Sequence, residues 1–243
     1  MISNPNSPYP GRQIFLGRTK QGNPCFAYLV TGRSPQSRER RATKTDHGFI
    51  MGPIGNEAYD WLRHYTAVMT DKDSGLVAVT NGIQTEAVFE TYRLLYHTNS
   101  SPGDEYLTNI MTGSQYEPDS LHTPRIAGII TFPPGETEPV YIMSIITDNP
   151  PANTWVITPE KATLTGISTY NGNLESPQAF GVSGNPPVIE NNYNTPTEIA
   201  EYIYEISAAM NQGEDIRVCA IGGVLASDKK TWEFYTINRH GDR

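Results

Sequence analysis

The chain has 243 residues, a formal net charge of −8 and 37% hydrophobic residues, which suits one large domain or two small ones around a real core. An acidic balance of this size argues against general nucleic-acid or anionic-membrane binding, because both need a basic face. Any anion recognition should therefore be local and directed at one small ligand.

Cys25 and Cys219 each sit in an apolar run, are too few for a disulfide framework, and read as buried free thiols of a reducing compartment. The opening "MISNPNSPYP" has neither a basic nor an apolar leader pattern, and no apolar run approaches the ~20 residues of a membrane span. A soluble, cytoplasmic protein is expected.

In chain order, "RQIFLG" and "CFAYLVTG" flank "RTKQGNP" as a hairpin, with Gly22 supplying the turn. "GFIMGP" reads as a strand, followed by "HYTAVMT" and "GLVAVTNG" as two more across "DKDS". Val88, Phe89, Tyr92, Leu95 and Tyr96 recur at helical spacing over 86–97. The polar stretch 97–115 reads as a long loop with room for one helical turn. "RIAGIITF" and "VYIMSIIT" form a second hairpin, while "TWVITP" and "ATLTGISTY" are expected to make a third. Residues 171–195, rich in Asn, Gly and Pro, read as irregular. A helix then opens at Thr195, where Pro196 at the first helical position and Glu198 three residues past the cap make a capping box; Gly213 is the expected stop. "IRVCAIGGVLA" and "WEFYTIN" close the chain as strands. Antiparallel sheets with two helices outside them, an α+β layered fold in a single domain over 1–243, is the expected architecture.

Four groups could carry chemistry. Residues 8–41 hold six arginines, Arg12, Arg18, Arg33, Arg38, Arg40 and Arg41, and guanidinium binds phosphate through paired donors. "RERR" (38–41) fits a solvated loop as well as a site, whereas Arg12 and Arg33 each follow a glycine at a strand edge without an obvious local carboxylate. Asn81 and Gly82 join a strand to a helix near Thr85, a helix start able to hold an anion or carbonyl. Tyr116, Glu117, Asp119, His122 and Arg125 crowd before a strand, with Pro124 holding Arg125 at its entrance. Tyr59, Asp60, Arg63 and His64 offer four polar groups on one turn, where Trp61 and Leu62 would face inward and His64 outward.

HExxH, paired CxxC, GxSxG, Walker and GxGxxG patterns are missing, so zinc, hydrolase, NTPase and dinucleotide chemistry are not indicated. An N-terminal nucleophile would require cutting before Ser3.

The ordered set "YPGRQIFLGRTKQGNPCFAYLVTGRSPQSR", "AYDWLR", "VTNGIQT", "YEPDSLHTPRIAG" and "ISTY" resembles the archaeal-type IMP cyclohydrolase family, over roughly the first seventy percent of the chain. The resemblance implies a four-layer αββα sandwich like that of the N-terminal-nucleophile hydrolases, without their nucleophile. It also implies closure of 5-formamidoimidazole-4-carboxamide ribonucleotide to IMP with loss of water. That chemistry demands no metal, no cofactor and no covalent intermediate. Its partner is a small phosphorylated purine precursor, with no nucleic acid and no membrane, and the family implies a homo-oligomer. On these positions Arg12, Arg33, Ser34 and Arg38 would line the phosphate or oxyanion, with Asn81, Gly82, Thr85 and Thr123 also binding substrate. Tyr59, Arg63 and Arg125 would surround the formyl group, Glu117 being first choice for proton transfer and Asp119 second. A non-catalytic purine-ribonucleotide-binding protein and an amidohydrolase on a related fold are the rival readings.

Overall fold

Alternation along each strand builds the two sheets. In β1 (Arg12–Arg18), Ile14 and Leu16 turn to one face and Phe15 to the other. In β2 (Pro24–Thr31), Phe26, Tyr28 and Val30 share the first face, and Cys25, Ala27 and Leu29 the second. Both faces are buried, so these strands read as unbroken apolar runs. The coordinates form a computed structural model in which residues 9–55, 58–171, 174–181 and 183–241 are described.

The remaining elements are α1 (Pro35–Arg38), β3 (Arg40–Thr45), β4 (Gly48–Pro53), β5 (Tyr65–Thr70), β6 (Val77–Thr80), α2 (Thr85–His97) and α3 (Asp104–Ser114). They continue through β7 (Arg125–Thr131), β8 (Val140–Ile146), β9 (Asn153–Ile157), β10 (Thr163–Ser168), β11 (Val188–Glu190) and α4 (Pro196–Ile206). The chain finishes with β12 (Met210–Asn211), β13 (Glu214–Asp215), β14 (Arg217–Leu225) and β15 (Trp232–Asn238). One sheet has six strands in the order β11-β10-β1-β2-β14-β15, and the other runs from β3 to β9 in sequence order; their pairings are antiparallel.

The largest core lies between the sheets, where Ile14, Leu16, Phe26 and Tyr28 meet Phe49, Val79, Ile126 and Met143. Gly128 allows that approach, since a side chain there would strike Ile14 and Leu16. α2 and α3 cover the outer face of the seven-stranded sheet through Val88, Phe89, Tyr92, Leu107 and Met111. α4 covers the six-stranded sheet through Ile199 and Ile203. Each fully buried Leu, Ile, Val or Phe contributes about 1.5–3 kcal/mol. The result is an α+β sandwich of four layers, helix–sheet–sheet–helices. Among the described residues no helix is long and apolar enough to cross a membrane.

Several expectations are corrected. The stretch after α2 is not a long loop: α3 occupies most of it, because Leu107, Ile110 and Met111 fall at helical spacing against β8 and the Tyr92 hydroxyl bonds the Gly103 carbonyl at 2.8 Å. There are thus more helices than two, α1 being a single turn. The third hairpin does not exist. β9 pairs with β8 as the exposed edge of the larger sheet, while the buried strand β10 pairs with β1 inside the smaller one. Within 171–195 a short strand, β11, edges the smaller sheet. The Thr195 capping box forms, its hydroxyl accepting from Glu198 N at 3.2 Å, but α4 ends at Ile206, and Gly213 instead shapes the β12–β13 turn at φ +81°.

Candidate active site

Antiparallel pairing places the starts of β3, β5 and β7 at one end of the larger sheet. The start of β1, in the other sheet, is drawn to the same end by an ion pair. Arg12, on the Ile14 face of β1, donates from Nη2 to Glu117 Oε1 at 2.5 Å across 105 residues of sequence. Glu117 lies in the loop entering β7, and Arg125 Nη1 stands 3.9 Å from the same oxygen. All three residues are buried.

The surrounding loop is built to hold them. Asp119 Oδ1 accepts from the backbone N–H of Leu121 and Thr123, and Oδ2 accepts the Thr123 hydroxyl at 2.6 Å, closing the turn from Glu117 to Thr123. The Thr123 hydroxyl also meets the Tyr170 hydroxyl. Asn81 donates to the Pro124 carbonyl at 2.9 Å and accepts from Ile126 N at 2.8 Å, which straddles Arg125 and fixes its backbone. Arg125 then reaches the start of α2, where Gly82 leaves room for its guanidinium and Gln84 Oε1 accepts from Nη1 at 3.3 Å. A cation beside the positive end of a helix is a pairing that calls for an anion. The Trp61 ring covers Arg125 from 6.0 Å.

Burial pushes Glu117 above the ordinary carboxyl range, with Arg12 and Arg125 pulling against it. Burial likewise lowers Arg125. For Arg12 burial is opposed by Glu117 and three tyrosines, and the charged form is strongly favoured. Burial raises Tyr170 to about 12, so its phenol stays protonated. The Tyr28 and Tyr65 hydroxyls, 2.7 Å apart, extend the same polar layer into the core between the sheets. An arrangement of this kind can take a proton on Glu117 and oppose negative charge with two guanidiniums.

The structure therefore brings together Arg12, Glu117, Asp119, Thr123, Arg125, Asn81 and Gly82. It does not bring in every residue expected there. Tyr59 is 74% exposed, and its ring lies against that of His64 at 5.7 Å. Arg63 pairs with Asp60 at 2.7 Å and donates to the Gln36 carbonyl. His64 is buried rather than superficial, accepting from Asp60 N, and Trp61 is half-exposed rather than inward. The Thr85 hydroxyl is engaged by the Thr66 and Gly82 carbonyls and by Thr80. Arg38 folds back onto the Gly32 and Arg33 carbonyls. Arg33 and Ser34 line a separate hollow of ≈ 380 Å³ with Leu174, Glu175 and Asn211, and Ser34 also caps α1. Arg18 sits at the far end of β1, paired with Glu138.

Tyr28, Tyr65, Tyr170, Gln84 and Trp61 join the cluster without a local sequence signal. Tyr28 and Tyr65 stand in apolar strands, where a phenol is indistinguishable from core. The stretches "ISTY", "VTNGIQT" and "AYDWLR" contain Tyr170, Gln84 and Trp61, but nothing in them singles those residues out.

The chain belongs to the family of IMP cyclohydrolase-like proteins, whose profile matches residues 9–230. It is similar to the IMP cyclohydrolase of Methanocaldococcus jannaschii, 30% identical over 124 residues, which is 50% of this chain and 56% of that protein. The IMP cyclohydrolase of Methanococcus maripaludis strain S2 is 32% identical over 124 residues, 51% of this chain and 58% of the relative. The matched stretch thus spans little more than half the length of these curated relatives.

Proposed function

We propose that this chain is an IMP cyclohydrolase that closes 5-formamidoimidazole-4-carboxamide ribonucleotide to IMP with loss of water, on a fold like that of the N-terminal-nucleophile hydrolases. The reading rests on one observation above others: a buried carboxylate, Glu117, gripped by Arg12 and approached by Arg125, in a member of this family.

The substrate carries its nucleophile and electrophile on one ring, so the protein has to orient and neutralise rather than assemble. Holding the formyl group in a near-attack pose is worth up to ~7–11 kcal/mol. As the carboxamide nitrogen bonds to the formyl carbon, Glu117 accepts its proton, and Arg125 opposes the charge growing on the formyl oxygen. Glu117 returns that proton to the oxyanion, giving the carbinolamine hydroxyl; the proton of the former formamide nitrogen is then passed by Glu117 to this hydroxyl, which leaves as water as the ring C=N bond forms. Proton transfer of this kind contributes roughly 10²–10⁴-fold. Asn81 and Gly82 position Arg125, and Asp119 and Thr123 position Glu117. Arg33 and Ser34 would meet more distant parts of the substrate from their hollow.

An absorbance assay for IMP formation by the purified protein is the test. Turnover that Glu117→Gln abolishes supports the reading. Thermal stabilisation by IMP without turnover assigns a binding protein instead, and release of formate or ammonia an amidohydrolase.

A further inference from the structure

Arg40 opens β3, and its side chain is 2% exposed. Period-two alternation puts it on the same face as Ala42, which belongs to the core between the sheets. Its position is fixed from outside: Asn238, at the end of β15, accepts from Ala42 N at 2.9 Å and donates to Ala42 O at 3.0 Å. Yet Arg40 Nε and Nη1 have no hydrogen-bond partner, and no carboxylate contacts this guanidinium among the described residues. The Nε groups of Arg12 and Arg125 are orphaned in the same way.

A buried guanidinium without counter-charge is a severe electrostatic penalty. No counter-charge stabilises the fold in return: Ala42 and Met51 on the same face are apolar, the cross-strand partner of Arg40 is Pro53, and the buried Tyr28 phenol is uncharged. The cluster continues past it: the Tyr28 hydroxyl lies within the electrostatic reach of both Arg40 and Arg12. Glu117 answers one of the two guanidiniums that flank it. With Arg40 the cluster holds three guanidiniums against the carboxylates of Glu117 and Asp119, so a positive charge is left for something that arrives later.

We infer that Arg40 is the seat of the substrate's phosphoryl dianion, and that it sets the preference of this site for a nucleoside monophosphate over the nucleoside. The assignment rests on the proposed function only for the identity of the nucleotide. It leaves Arg12 and Arg125 to the reacting end.

The test compares IMP, AMP, inosine and inorganic phosphate on wild-type protein, Arg40→Met and Arg40→Lys, by thermal shift and calorimetry. Wild-type protein should bind IMP much more tightly than inosine, with inorganic phosphate competing. In Arg40→Met the IMP affinity should fall roughly 10- to 100-fold, towards that of inosine, as expected for losing charge-assisted hydrogen bonds. Inosine binding should hold, and the ligand-free melting temperature should rise, because an unpaired buried charge is gone. Arg40→Lys should recover part of the preference. An unchanged IMP-to-inosine ratio in Arg40→Met overturns the inference, as does equal loss of both ligands. So does failure of both variants to fold, which would make Arg40 a structural residue, and so does wild-type indifference to IMP, AMP and phosphate. Wild-type protein that binds IMP through Arg40 but never cyclises the precursor keeps this inference and removes the enzymatic one. Cyclisation with an unaffected Arg40→Met does the reverse.

Discussion

The guanidinium of Arg125 occupies the space that a side chain on Gly82 would fill. Gly82 is needed for its emptiness rather than its backbone freedom, because no left-handed φ is recorded for it. Gly82→Ala should therefore fold, since the atoms in the way are the mobile ends of Arg125 and Gln84. It should displace Arg125 and lower kcat about 10²-fold, the scale of losing one transition-state donor. A melting curve within a few degrees of wild type beside that loss is the expected pair of results.

Glu117 gives a pH signature. Its buried carboxyl titrates above the usual value of 4.5, so the acid limb of kcat/KM should lie above that value, with activity appearing as Glu117 ionises. Asp119, Arg12 and Arg125 are the charges that act on it. Folding is linked with the opposite sign. A raised folded-state pKa contributes stability that is complete below pH 4.5 and is lost as pH rises through the elevated value. The melting temperature of Glu117→Gln minus that of wild type should accordingly grow in that window, while any residual activity of the variant loses the acid limb.

Asp119 separates positioning from chemistry. Its oxygens accept from two backbone N–H groups and one hydroxyl, all within the turn that carries Glu117. Asp119→Ala should destabilise the fold by ~1.5–3 kcal/mol, the scale for losing hydrogen bonds to a charged group. Urea denaturation measures that directly. If Asp119 transferred the proton itself, activity would vanish with stability intact.

A cap distant from the site provides the control. Thr195→Ala removes the α4 capping box on the outer face of the smaller sheet and should lower stability by ~0.5–2 kcal/mol. The rate of the proposed cyclisation per folded molecule should not change, because α4 packs against Phe15, Leu29 and Ala220 on the face opposite the polar cluster.

What could be read without coordinates was local. The first two hairpins, the α2 stripe and the Thr195 cap declare themselves through apolar spacing and turn chemistry, and the structure has them. The failures lie where partner choice is decided at long range. β9 and β10 are neighbours in sequence yet join different sheets, each pairing with a strand that no local signal names. At the site, Glu117 and Arg125 are legible because a proline and an arginine stand at a strand entrance. Arg12 looks unpaired from sequence because its carboxylate lies 105 residues away. Arg40 hides in "RERR", where charge density mimics a solvated loop, and only the inward turn of β3 distinguishes it from Arg41.

The bridge from Arg12 to Glu117 joins segments of different sheets, so it can close only after the two halves of the sandwich have docked. Non-local β pairing of this sort assembles slowly. During refolding, the first turnover should therefore lag behind the recovery of strand signal. Enzymatic activity would act as a clock for the final docking event, blind to every species that precedes it.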